Sequence, residues 1–223
     1  MGPIGLKTLA DNRNPASLAA RLRRQRFALF ADLLSRLPRP IRILDVGGTP
    51  GFWRVMGFDR AAESVTLLNQ LPPPDGPGTF RSVVGDARQM REFRDLEFDV
   101  VFSNSVIEHV GTFADQQAMA AEVRRVGRRY FVQTPNRYFP IEPHFLVPGF
   151  QFLPLSVRAG WLARRSVGWY PRAPSYEAAM VEVAQIRLLS RSEFQRLFPE
   201  GTLHTERFFG LAKSFVIYHG WDD

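Results

Sequence analysis

Short apolar runs alternating with helical stretches constrain this 223-residue chain more than any other feature. The runs are Ile41-Arg42-Ile43-Leu44-Asp45-Val46, Val65-Thr66-Leu67-Leu68, Phe80-Arg81-Ser82-Val83-Val84, Phe98-Asp99-Val100-Val101-Phe102 and Arg129-Tyr130-Phe131-Val132. Each has strand length, and several are apolar over most of it, as strands covered on both faces are. A helical segment, Phe113 to Val126, separates the last two, and further helices are expected near Ser175–Ala184 and Ser190–Phe198. The alternation predicts an α/β fold, a doubly wound and mainly parallel sheet. Two final runs, Leu203 to Phe209 and Ser214 to His219, meet at a short turn at Gly210-Leu211. They complete seven strands with an antiparallel C-terminal hairpin.

Around this sheet, residues 1–223 read as a single domain with two additions. Pro15 to Arg36 has helical spacing: Leu18, Leu22, Phe27, Phe30, Leu33, Leu34 and Leu37 share a broad face, with Arg21, Arg23, Arg24 and Arg26 mostly elsewhere. Pro38 and Pro40 stop that helix, so residues 1–40 form an N-terminal helical extension. Residues 144–174 are rich in Phe, Leu, Trp, Pro and Arg without a period and read as a cover over a substrate site. There Phe145, Phe150, Phe152, Trp161, Trp169 and Tyr170 would line an apolar pocket, and Arg158, Arg164, Arg165 and Arg172 would meet an anionic group. The proline- and glycine-rich stretch Gln70–Thr79 cannot be a regular helix, so the second crossover is expected to be a loop.

Directly after the first strand comes Asp45-Val46-Gly47-Gly48-Thr49-Pro50-Gly51. Ligands of open α/β sheets bind outside the carboxyl ends of the strands, where glycines let backbone approach a ligand. Thr49 suits the cap of a following helix and Pro50 its first position. A dinucleotide fingerprint would need glycine at Thr49 and Phe52, which disfavours nicotinamide chemistry. The spacing acidic-x-G-x-G-x-G fits better, at Asp45, Gly47, Thr49 and Gly51. In this the chain resembles the class I S-adenosylmethionine-dependent methyltransferases, with Thr49 replacing the middle glycine.

The resemblance continues in order from Ile41 to Asn136. The second strand ends at Asn69, where the family usually has an acid for the ribose hydroxyls. The third runs into Gly85-Asp86-Ala87, similar to the family's Gly-Asp-Ala, whose acid takes the adenine amino group. A helix cap is the other reading of Asp86. Phe98-Asp99-Val100-Val101 followed by Glu108-His109-Val110 resembles the type 11-like subgroup, in which the residues after the fourth strand, here Ser103, Asn104 and Ser105, pass near the methionine end. The resemblance implies that Asp45, Gly47, Gly48, Thr49, Gly51, Asn69, Gly85, Asp86, Ala87, Ser103, Asn104 and Ser105 hold S-adenosylmethionine and that methyl transfer is in line.

A hydroxyl or phenol acceptor would gain from a general base. His144, just past the fifth strand, is the first candidate and His109 the second; His204 and His219 fall on the terminal strands. The chain has no cysteine, which excludes disulfides, thiolate metal sites and a cysteine nucleophile, and no metal site is expected. The net charge of +7 is almost all arginine, since only Lys7 and Lys213 are lysines. It suits a small-molecule acceptor that is anionic or lipid-linked, with peripheral membrane contact. A nucleic-acid acceptor lacks a basic tail to support it. A binding or regulatory protein without turnover is the remaining alternative. With no leader pattern and no membrane-length apolar run, a soluble cytoplasmic protein is expected.

Overall fold

The computed structural model describes residues 5, 7, 8, 14, 16–57, 63–72 and 80–221. Most of the first fifteen residues and positions 73–79 of the proline-rich link lie outside that set. The helices are α1 (Leu18–Ser35), α2 (Pro50–Val55), α3 (Phe113–Val126), α4 (Leu155–Arg164), α5 (Tyr176–Ala184) and α6 (Arg191–Leu197). The strands are β1 (Ile41–Val46), β2 (Glu63–Asn69), β3 (Phe80–Val84), β4 (Val100–Asn104), β5 (Tyr130–Pro135), β6 (Thr202–Phe208) and β7 (Leu211–His219). They form one seven-stranded sheet in the order β3-β2-β1-β4-β5-β7-β6. Six strands run one way, and β7 runs against its neighbours β5 and β6. This is the Rossmann-like arrangement expected, with the strand order reversing beside β1.

Alternation along the strands divides the core. Ile41 and Ile43 of β1, Val100 and Phe102 of β4 and Phe131 of β5 face one layer, where Phe27, Phe30, Leu33 and Leu34 of α1 and Trp53 of α2 cover them. Leu44, Val46, Val101 and Val132 face the other, under Met119 and Val123 of α3 and Phe194 of α6. Burying each such Phe or Leu stabilises the fold by about 1.5–3 kcal/mol. Local signals set the helix starts. The Ser17 hydroxyl accepts the Ala20 N–H, and Thr112–Asp115 and Ser190–Glu193 form reciprocal capping boxes.

Several boundaries differ from the sequence reading. The continuous strand β4 begins at Val100; before it Phe98 makes an isolated parallel bridge to Gly127, and Asp99 donates its N–H to the Arg42 carbonyl at 3.0 Å while its carboxylate accepts the Arg42 N–H at 2.8 Å. β5 does not differ: it runs to Pro135, inside the ending Gln133-Thr134-Pro135-Asn136 of the family resemblance, with β7 pairing it that far, Pro135 opposite Ser214. The hairpin turns at Phe209-Gly210, both at positive φ, one residue earlier than expected. No helix follows Asp86; its carboxylate instead accepts the Arg88 N–H two residues on, making a tight turn. Arg26 is not on the solvent side of α1 but buried against the sheet, because four acceptors await it there. The aromatics of residues 144–174 divide between core and cavity, Trp169 bordering a cavity. Phe145, Phe150, Leu162 and Val167 form a third core with Ala179 and Val183 of α5, and Phe152 is exposed.

Candidate active site

The carboxyl ends of β3, β2, β1 and β4 lie side by side and are tied together. Gly47 N–H donates to the Leu68 carbonyl at 2.8 Å, Gly85 N–H to the Asn69 carbonyl at 3.0 Å, and Asn69 Nδ2 to the Gly48 carbonyl at 3.0 Å. Gly47 sits at φ +77° with the Val106 side chain where a Cβ would be. A Cβ at Gly48 would fall 1.6 Å from Asp45 Oδ2. Asp45 therefore braces this loop from inside: it is buried and accepts the Trp53 indole N–H at 2.7 Å. Burial pushes its carboxyl up to about 7, against the Trp53 hydrogen bond. The Thr49 hydroxyl accepts the Phe52 N–H and caps α2, with Pro50 in the first turn and Gly51 exposed after it. The Asn69 amide is committed to the loop through Nδ2.

At the β3 end, Arg88 grips both oxygens of Asp86 and reaches Asp115 at 3.1 Å. The Arg88 hydrogen bond holds the Asp86 carboxyl below its usual range. Ala87 is half-buried beside it. At the β4 end, Ser103 is buried, its hydroxyl 3.4 Å from the Val46 carbonyl, so it joins tips rather than facing outward. Asn104 Oδ1 accepts from Arg26, and Ser105, at φ +58°, donates to Gln133 Oε1 at 2.8 Å.

Two groups went unseen in the sequence. The first centres on Arg26, whose guanidinium makes a two-point ion pair with Glu206 (2.9 and 2.6 Å) and donates to Gln133 Oε1 at 2.9 Å. Its partners are 78 to 180 residues away, beyond any motif window. Arg26, Asn104, Ser105 and Gln133 border a cavity of about 240 Å³. Leu18, Leu22, Phe139, Ile141, Leu146, Trp169 and Phe208 supply apolar wall, and Arg23 and Lys213 supply charge. Burial, then Arg26 and Arg23, lowers the Lys213 amine to about 8, with Glu206 opposing. Of the aromatics assigned to this wall, Trp169 is among its lining residues. Arg158 lines a separate cavity of about 200 Å³ with Arg137, Glu142 and Arg187. Arg164 and Arg172 bond carbonyls of their own segment, and Arg165 lies over Trp161.

The second group joins the two histidines. His144 Nε2 and His109 Nε2 are 3.1 Å apart, with the rings perpendicular. His144 Nδ1 is 2.7 Å from Oε1 of buried Glu142, whose Oε2 takes the His144 and Phe145 N–H groups. Glu108, also buried, accepts from Thr134 at 3.0 Å, while its Oε1 has no hydrogen-bond partner among the described residues. Burial raises the Glu108 carboxyl to about 7; loss of solvent around its ring nitrogens, then His144, lowers the His109 imidazole, although the rest of that side chain is exposed. Burial alone would lower His144 as well, but the Glu142 hydrogen bond and charge outweigh it and hold the imidazole above its usual value. Ligating atoms of Glu108, His109 and His144 all lie within 4.8 Å of one another, a donor set the sequence reading did not anticipate. His204 is exposed, and His219 contacts the Glu200 carbonyl and stacks on Tyr130.

Residues 42–130 match the family profile described as a methyltransferase domain. An uncharacterized protein of Mycobacterium tuberculosis is 30% identical over 146 residues, 60% of this chain and 48% of that protein. The chain thus spans about half the length of the curated relatives it matches. Among solved structures, a SAM-dependent methyltransferase from Aquifex aeolicus is similar in fold, with a TM-score of 0.51, 12% identity and coverage of 98% of this chain and 97% of that one. The 1,6-didemethyltoxoflavin-N1-methyltransferase of Burkholderia thailandensis, solved with its substrate and S-adenosylhomocysteine, has a TM-score of 0.53 at 15% identity, covering 88% of this chain and 76% of that one. No helix among the described residues is long and apolar enough to cross a membrane.

Proposed function

We propose, from the match of residues 42–130 to the methyltransferase-domain profile, that this chain binds S-adenosylmethionine and methylates a small anionic acceptor. The observation that carries the reading is the tied row of strand tips ending at Asn104 and Ser105, which also border the 240 Å³ cavity. The residues fit the cofactor: the absence of side chains at Gly47 and Gly48 lets the loop fold tightly over Val106 and Asp45 at the strand tips, Asn69 Oδ1 suits a ribose hydroxyl and Asp86 the adenine amino group. When bound, the cofactor would supply an activated methyl group on a cationic sulfur, released as a neutral thioether once an acceptor lone pair takes the methyl. The chain's own contribution is alignment of donor and acceptor.

Helix α1 and residues 144–174 close the acceptor side. Arg23 and Lys213 attract an anionic group among apolar walls, and His144 and His109 activate the nucleophile. The arginines Arg26, Arg88, Arg125 and Arg187 are engaged with acids of this chain, which argues against a nucleic-acid acceptor. A lipid-linked acceptor is a variant of the reading, suited to exposed Tyr138, Phe152 and Val157. Flotation with anionic vesicles tests it, and absence of binding removes it.

Calorimetry with S-adenosylhomocysteine tests the core of the reading. One molecule bound per chain is expected; no heat and no thermal shift would overturn it. Once an acceptor is found by screening apolar carboxylates with labelled S-adenosylmethionine, His144→Ala should lower kcat roughly 100-fold or more with S-adenosylhomocysteine affinity unchanged. Turnover within a few-fold of wild type would remove His144 from the chemistry. Cofactor binding with no transfer to any acceptor would favour a regulatory binding protein.

A further inference from the structure

We propose that Glu108, His109 and His144 bind one divalent first-row cation, which takes an oxygen of the acceptor as a further ligand. The cation site stands on geometry alone; the acceptor's part in it rests on the methyltransferase reading above.

Two observations point to an ion rather than a simple imidazole contact. Ligand atoms about 2.0–2.2 Å from one ion at neighbouring positions lie roughly 3–3.5 Å apart, and the two Nε2 atoms are 3.1 Å apart. A neutral imidazole pair could share one hydrogen bond at that distance. It would still leave Glu108 Oε1 buried without a partner, and a carboxylate oxygen held out of water is costly unless something positive meets it. A cation among the three residues satisfies both features at once.

The surroundings are arranged for the same task. Metal-ligating imidazoles commonly hand their other nitrogen to a carboxylate, which fixes the ring and raises its basicity. Glu142 does this for His144 at 2.7 Å and is itself held by backbone N–H groups. Two imidazoles and one carboxylate favour a borderline ion such as Zn²⁺ over Mg²⁺ or Ca²⁺, with Mn²⁺ weaker than Zn²⁺. Three protein ligands leave a coordination position open, as catalytic rather than structural sites do. The chain carrying the site also borders the acceptor cavity, at Ser105 on one side and at Pro143 and Leu146 on the other. An acceptor oxygen on the ion would become more acidic, which is the activation assigned to the histidine pair.

The test uses the full chain, stripped with chelator and titrated separately with Zn²⁺, Mn²⁺ and Mg²⁺, with ion content measured after dialysis. One Zn²⁺ or Mn²⁺ per chain is expected. His109→Ala and His144→Ala should each weaken it at least tenfold, and Glu142→Gln by roughly 10–100-fold. The metal-free variants should melt with the metal-free wild type, and exposed His109 makes its variant the one least at risk of misfolding. No saturable binding at millimolar ion, or binding indifferent to both histidine substitutions, would overturn the proposal. S-adenosylhomocysteine binding on the same samples separates the two readings. If it persists where no ion binds, only the cation proposal falls; an ion bound without S-adenosylhomocysteine binding leaves the site standing and removes the methyltransferase.

Discussion

The β3-β2-β1 half of the row of strand tips is held mainly by backbone, whereas the β4-β5-β7-β6 half is held by side chains. In the first half, Gly47 and Gly85 donate to carbonyls of β2 and Asn69 reaches the Gly48 carbonyl. In the second, one guanidinium from α1 holds Asn104, Gln133 and Glu206. The first half, where we propose the cofactor binds, is therefore a local device, fixed by a few consecutive residues on each strand. The acceptor half exists only once distant parts of the chain have met.

Arg26→Met is the most damaging way to test that difference. It would leave Glu206 buried and uncompensated and should cost about 3–5 kcal/mol in urea unfolding. A cost below about 1 kcal/mol would mean that α1 is held by its apolar face alone. Gly48→Ala attacks the other half. With no room above Asp45, the loop must shift, and S-adenosylhomocysteine affinity should fall roughly 100-fold, about 2.7 kcal/mol. Retained affinity would show that the loop is not the cofactor's seat. Asn69→Ala removes the tie to Gly48 and a ribose acceptor together, a loss of about tenfold by calorimetry. The smallest effect lies in the acceptor cavity. Lys213 is protonated below about 8, so the KM for an anionic acceptor should rise a few-fold as pH passes upward through that value. Lys213→Met should raise KM at neutral pH and flatten the profile; a profile unchanged by the substitution would remove Lys213 from acceptor binding.

The same contrast explains what the sequence made legible. Strand periodicity and caps are local, so the seven strands, the Thr49 and Thr112 helix starts and the antiparallel end could be read directly. The glycine loop, Asn69 and Gly85 followed from their places after strands. Arg26 could not be placed, because its neighbours argue for solvent and its partners lie on β4, β5 and β6. Glu142 and Glu108 look like ordinary loop acids until the fold sets them around His144 and His109. Of the aromatics of residues 144–174, Trp169 lies at the cavity as expected, while Phe145 and Phe150 are drawn into a core with α4 and α5 whose packing depends on contacts distant in sequence.

The most direct measurement is a crystal structure with S-adenosylhomocysteine. The account predicts the ribose at Asn69, the adenine beside Asp86 and Ala87, and the sulfur next to Asn104 and Ser105, facing the cavity under α1. A ligand bound elsewhere, or a crevice between β1 and β2 filled by this chain's own side chains, would contradict it.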